Sequence, residues 1–82
     1  MHSDPEIRLL VVEKGTCFEA IRRAQDLAAE LARLLAVEGI SEHPELQSDA
    51  VASQVLVATL IRQMKGRILS IDRIIGELQY RF

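Results

Sequence analysis

The second half of the chain repeats apolar residues at alternating steps of three and four. That spacing keeps the residues on one face of an α-helix. The positions are Ala50, Gln54, Val57, Ile61, Met64, Ile68, Ile71, Ile75, Leu78 and Phe82, and only Gln54 is polar. Charged residues occupy much of the remaining surface, as on a solvated helix face. The pattern predicts a helix from about residue 44 to 81.

The first half shows the same alternation. Its positions are Ile7, Leu10, Lys14, Cys17, Ile21, Ala24, Ala28, Leu31 and Leu35, and only Lys14 departs from the apolar pattern. Asp4, Pro5 and Glu6 form a helix start signal, because Asp caps, Pro suits the first turn and Glu complements the helix dipole. The sequence therefore predicts a first helix from about 5 to 38.

A second start signal inside this segment leaves alternatives open. Thr16 and Glu19 match the spacing of a capping box, and Gly15 precedes them. Either one helix passes Gly15 with a bend, or residues 7–12 form a separate element. Their β-branched end would suit a strand, but the chain offers no second strand, so the partner would have to come from another chain. We favour the helix.

The two helices should form an antiparallel hairpin within a single domain of residues 1–82. Gly39 is placed to close the first helix as its C′ residue, and Pro44 fits the first turn of the second. The turn, residues 39–43, is too short for any other arrangement. Gly15 then lies level with Arg67 and next to Gly66, which allows a shared bend or a close approach of the helices.

Many large apolar residues fall outside the two predicted seams. They are Leu9, Val12, Phe18, Leu27, Leu34, Leu46, Val51, Val55, Leu56, Leu60, Leu69 and Ile74. Each forfeits about 1.5–3 kcal/mol if it stays in water. A two-helix unit of this size is not expected to be stable alone. An all-α four-helix bundle is therefore expected, either as a homodimer or with another helical protein.

The expected partner interface is built from off-seam residues of both helices. It comprises Leu27, Leu34, Val51, Val55, Leu56, Leu60, Leu69 and Ile74. The stretch from Val51 to Ile61 should lie at its centre, because it carries no charge and presents apolar side chains on more than one side.

Composition narrows the class of protein. With 49% hydrophobic and 27% charged residues, the 82-residue chain should fold, and its net charge of −2 gives no global attraction for nucleic acid or anionic membranes. The charge-free run of twelve residues is shorter than the roughly 20 that a membrane span needs. One cysteine excludes an internal disulfide, and no signal peptide is evident, so we expect a cytoplasmic protein.

The sequence contains few candidates for chemistry. His43 with Glu42 and Glu45 could offer metal ligands, but solvated turn residues are the favoured interpretation, and no metal or cofactor is expected. Cys17 begins a helical turn after Thr16, where the helix dipole favours a thiolate. Its position on the seam favours a buried small hydrophobe over an intersubunit, redox or catalytic role.

A basic band is the other candidate feature. It consists of Arg22, Arg23, Arg62, Lys65 and Arg67. Such a band can bind nucleic acid, but Glu19 and Asp26 interrupt it, Glu19 has helical ion-pair spacing to Arg23, and no aromatic residues are interleaved for base stacking. A solvated face is the favoured interpretation.

The sequence thus favours a non-enzymatic interaction protein, acting through apolar helix faces as a scaffold, adaptor or small chaperone-like subunit. Two alternatives stay open. One is a small helical enzyme whose active site forms across a dimer interface from Arg23, Glu30, Gln54 and Arg62. The other is a nucleic-acid-binding bundle that uses the basic band.

Overall fold

The computed structural model of the chain describes residues 5–80. Helix α1 spans Pro5–Leu35 and helix α2 spans Pro44–Gln79, with a short 3-10 helix, Ile40–Glu42, between them. The α-helices pack against each other in antiparallel orientation and form a rod of 63 × 15 × 13 Å. The predicted all-α hairpin is confirmed, and residues 5–80 contain no strand.

The core is a single line of side chains between the two helices. Its buried members are Cys17, Ile21 and Ala24 on α1 and Ala50, Val57, Met64, Ile68, Ile71 and Leu78 on α2. All nine belong to the seams that the sequence pattern predicts, so the helical register is confirmed. The last seam position, Phe82, lies outside the described residues.

Lys14, the exception in the first seam, reaches across to the other helix. Its Nζ lies 2.6 Å from Oδ1 of Asp72, and both side chains keep partial contact with water. An apolar stem along the seam and a charged head at its edge is the usual way in which lysine occupies such a position. The departure from the pattern is therefore an interhelical ion pair at the rim of the core.

Helix α1 runs without interruption through residues 7–20. The strand alternative for residues 7–12 is therefore wrong. The capping box is also not used, because the Thr16 hydroxyl donates to the carbonyl oxygen of Val12 (3.2 Å) inside the helix. A Cβ atom placed at Gly15 or Gly66 would meet nothing within 4 Å, so the predicted close approach at these glycines is wrong. The cap expected from Asp4 lies outside the described residues.

The first helix ends earlier than predicted, at Leu35 instead of about residue 38. Val37 N–H donates to the carbonyl of Leu34, and this tighter spacing replaces the α-helical pattern. Gly39 has φ 86°, but it precedes the 3-10 helix and does not close α1. Its predicted left-handed backbone is present, whereas its predicted C′ role is wrong.

The second helix begins as predicted and ends close to the predicted boundary. Pro44 occupies its first turn, and the Gln47 N–H donates to the carbonyl of His43. A proline is accommodated there because the first N–H groups of a helix have no intrahelical acceptor. At the other end, Tyr80 N–H donates to the carbonyl of Gly76.

Two glycine substitutions should change stability in opposite directions. We expect Gly39→Ala to lower the free energy of unfolding by about 1–2 kcal/mol, because a Cβ disfavours the left-handed backbone. Gly66→Ala should raise it by about 0.5–1 kcal/mol, because Gly66 is helical and its Cβ position is open. Urea denaturation at one fixed protein concentration measures both. A Gly39→Ala protein as stable as the parent chain would contradict the role of Gly39.

Candidate interaction surface

Large apolar side chains remain exposed along the whole hairpin. Of the eight residues predicted to form an interface, seven are between 38% and 71% exposed. They are Leu27, Val51, Val55, Leu56, Leu60, Leu69 and Ile74. The eighth, Leu34, is half-buried. The packing of α1 on α2 therefore leaves almost all of this set available to a partner.

An open groove of about 670 Å³ runs along one side of the rod. The groove is open where α1 carries small residues, including Gly15, Thr16 and Ala20. Leu27 and Leu60 bound its end nearer the turn. Val12 closes the other end. The lining is mainly apolar, so it presents a hydrophobic depression to the solvent.

Helical spacing extends this groove into a continuous face. Residues three, four or seven positions apart share one side of a helix. The side that carries the groove therefore also carries Leu9 and Leu34 on α1 and Leu56 and Ile74 on α2. We call this set, with Val12, Leu27 and Leu60, the groove face.

Two interhelical ion pairs show which residues of the two helices lie at the same level of the rod. Lys14 pairs with Asp72, and Arg67 Nη1 lies 3.8 Å from Oε1 of Glu13. With this register, Leu9 lies level with Ile74. Leu27, in the other half of the rod, lies level with Leu56.

The opposite side of the hairpin also carries exposed apolar side chains. A smaller depression of about 400 Å³ lies there between Phe18, Ile21, Lys65, Ile68 and Leu69. A lysine takes part in its lining, and the Lys14 Nζ lies 6.0 Å from the centre of the Phe18 ring.

The structure thus divides the predicted interface among three surfaces. Leu27, Leu34, Leu56, Leu60 and Ile74 share the groove face. Leu69 lines the opposite depression, and helical spacing puts Val51 on that same side of α2. Val55 lies on the outer side of α2. The predicted interface did not include Leu9 and Val12, although both were named as off-seam apolar residues. It also did not include the small residues of the groove, although Gly15, Thr16, Ala20 and Ala24 share one side of the helix by their spacing in the sequence.

Three arginines of the basic band form ion pairs with carboxylates of the same chain. Arg22 donates to Oε1 of Glu19 at 2.6 Å, and Arg23 Nε lies 3.5 Å from the same oxygen. The hydrogen bond and charge of Arg22, with a smaller contribution from Arg23, hold the pKa of Glu19 below its ordinary value. Arg67 is paired with Glu13. Much of the band is therefore neutralised locally, which weakens its attraction for phosphate groups.

Of the candidates for chemistry, Glu42, His43 and Glu45 line one depression beside the turn. Among the described residues, no group of three or more His, Cys, Asp or Glu side chains is arranged to hold a metal ion. Gln54 is half-buried in the seam and Arg23 lines the groove. Within residues 5–80, no ion pair joins Arg23 or Arg62 to Glu30.

Cys17 is 1% exposed and belongs to the cluster formed with Ile21, Met64, Ile68 and Ile71. The interpretation as a buried small hydrophobe is confirmed. A thiol in this position packs against the neighbouring apolar side chains and is shielded from the solvent while the hairpin stays closed.

Comparison of the chain with models of protein families, with characterised proteins and with solved structures yields no match. Over residues 5–80, neither helix has an apolar stretch of the length that crossing a membrane requires.

The burial of Cys17 predicts slow reaction with thiol reagents. We expect the native protein to react with a chromogenic disulfide reagent at least tenfold more slowly than the same protein in 6 M urea, since the thiol must first be exposed by opening. A Ser70→Cys variant provides an exposed reference thiol on α2. Equal labelling rates for Cys17 in native and unfolded protein would show that the seam does not protect it.

Proposed function

We propose that the protein is a non-enzymatic helical interaction module that acts as a scaffold, adaptor or small chaperone-like subunit through its groove face. The excess of exposed surface is the observation that carries the proposal. The hairpin exposes 6437 Å². A compact monomer of 9.2 kDa is expected to expose about 4,900 Å². The radius of gyration is also larger than that of a compact chain: it is 18.6 Å, whereas a compact chain of this length would have about 12 Å.

The character of the exposed surface supports association with a protein. Leu56 and Leu69 are 70% and 71% exposed, and each gains about 1.5–3 kcal/mol on full burial. Leu9, Val12, Leu27, Leu60 and Ile74 are also exposed, and they share one face with Leu56. Exposed apolar side chains gathered on one face in this way mark interaction sites.

We propose that the partner completes a four-helix bundle. A second pair of helices on the groove face would bury the apolar side chains that the first pair leaves in water. Since a single unpaired cysteine suits a reducing compartment, we place this function in the cytoplasm.

A charge on the groove face tests the proposal. We expect Leu56→Glu to shift the protein toward monomer, because burying an unpaired charge costs several kcal/mol. The melting temperature of the parent chain should rise with protein concentration, and that of Leu56→Glu should rise less. Sedimentation velocity and circular dichroism at 2–200 µM measure both effects.

Gln25→Glu is the matched control for this experiment. It adds the same charge at an exposed α1 position outside the groove face, so it should leave the association unchanged. If the parent chain is a stable helical monomer whose melting temperature does not depend on concentration, the proposed function is wrong.

A further inference from the structure

The groove face contains two apolar clusters separated by smaller and charged residues. The open-end cluster consists of Leu9, Val12 and Ile74, and the turn-side cluster consists of Leu27, Leu56 and Leu60. All six residues are exposed. Between the clusters lie Thr16, Ala20, the Glu13–Arg67 ion pair and Glu19, whose carboxylate is paired with Arg22 and Arg23 of the same chain. The face therefore carries large exposed apolar side chains at two positions along the rod and is recessed between them.

We propose that the groove face binds a second copy of this chain in the inverted orientation, around a two-fold axis between Thr16 and Ala20. The open-end cluster of each copy then packs on the turn-side cluster of the other. This inference rests on the proposed function and deepens it by naming the partner and the geometry.

The exposed area fits a second copy. The surface in excess of a compact monomer, summed over all sides of the rod, is roughly 1,500 Å² per chain. A standard interface buries about 800 Å² per partner, and obligate homodimers bury about 1,000–2,500 Å² per partner. A hairpin of equal length is also the partner that spans both clusters at once, because its own clusters have the same separation.

The charges distinguish the inverted from the parallel orientation. With an axis midway between Leu9 and Leu27, Arg23 of one copy lies level with Glu13 of the other. In a parallel dimer, α1 packs on the partner's α2 and each residue shares its level with its own equivalent, so the two copies of Arg23 would lie at one level and the two copies of Arg67 at another. Like charges facing each other in an interface are unfavourable, whereas opposite charges fix the register.

The small residues of the groove fit the position of the axis. Thr16 and Ala20 line its floor, and Gly15 lies beside them. Near a two-fold axis each residue meets its own equivalent, so large side chains there would hold the copies apart. The Val51–Ile61 stretch then packs on the partner's open end, away from the centre of the dimer.

Disulfide trapping tests this geometry. We expect Ala20→Cys to form a covalent dimer on mild oxidation, because the two copies of residue 20 lie near the axis. Leu9→Cys alone should stay uncrosslinked, and a refolded mixture of Leu9→Cys with Leu27→Cys should give a heterodisulfide. The parent chain is the control, since its Cys17 is buried. Non-reducing electrophoresis and mass spectrometry identify the products.

A distance measurement provides a second readout that does not depend on disulfide formation. Spin labels on Leu9→Cys should lie about 27 Å apart along the rod in the inverted dimer, given 1.5 Å per residue and nine residues to the axis on each side. In a parallel dimer the two labels would be adjacent. Pulsed electron paramagnetic resonance distinguishes the two arrangements.

The outcomes separate this inference from the proposed function. A dimer in which Leu9→Cys crosslinks to itself overturns the inverted geometry but agrees with the proposed function as an interaction module. A chain that folds only with a different protein also overturns the self-association and leaves the module standing. A stable helical monomer with a melting temperature independent of concentration overturns both.

Discussion

Two straight helices can touch along only one line, and the rest of this structure follows from that limit. Each helix presents one narrow face to the other, so the buried residues form a seam and not a layered core. The other sides of both helices stay in water unless a further element covers them. In a globular domain, the same apolar content would be enclosed on several sides. Here the seam stabilises the hairpin, while its narrowness leaves apolar side chains for association.

The seam was predictable because it depends on spacing alone. Alternating steps of three and four select one helix face whatever the residues between them do, so Cys17, Met64 and Ile71 could be placed without a structure. Local signals were less reliable. Thr16 satisfies its hydroxyl within the helix, so its capping potential has no effect on the chain path. Gly39 has the left-handed backbone typical of a C′ residue, but it lies immediately before the 3-10 helix of the linker. The sequence does not reveal which of two neighbouring helices such a residue borders.

The interaction surface was predictable only as a set of residues. Their apolar character could be read directly, but grouping them into faces requires the level of each residue across the two helices. That level depends on contacts such as Lys14 with Asp72 and Arg67 with Glu13, which join distant parts of the chain. No local spacing rule links these pairs. Val55 and Leu56 are adjacent in sequence and alike in character, yet the helix directs them to different sides.

The uneven distribution of side-chain size along the seam has a consequence for folding kinetics. On the turn side of the main cluster, the fully buried seam residues are Ala24, Ala50 and Val57, while Leu31 and Leu35 are only half-buried; the main cluster begins at Ile21 and Met64 and lies farther from the turn. The turn itself can close quickly, within about 10–100 ns for a loop of ten residues. Contacts near the turn offset little of the conformational entropy that is lost when the turn closes. The two helices should therefore separate again many times before the hairpin folds. The barrier is crossed when the larger cluster engages, and the folding rate therefore depends on closing a segment of about 40 residues.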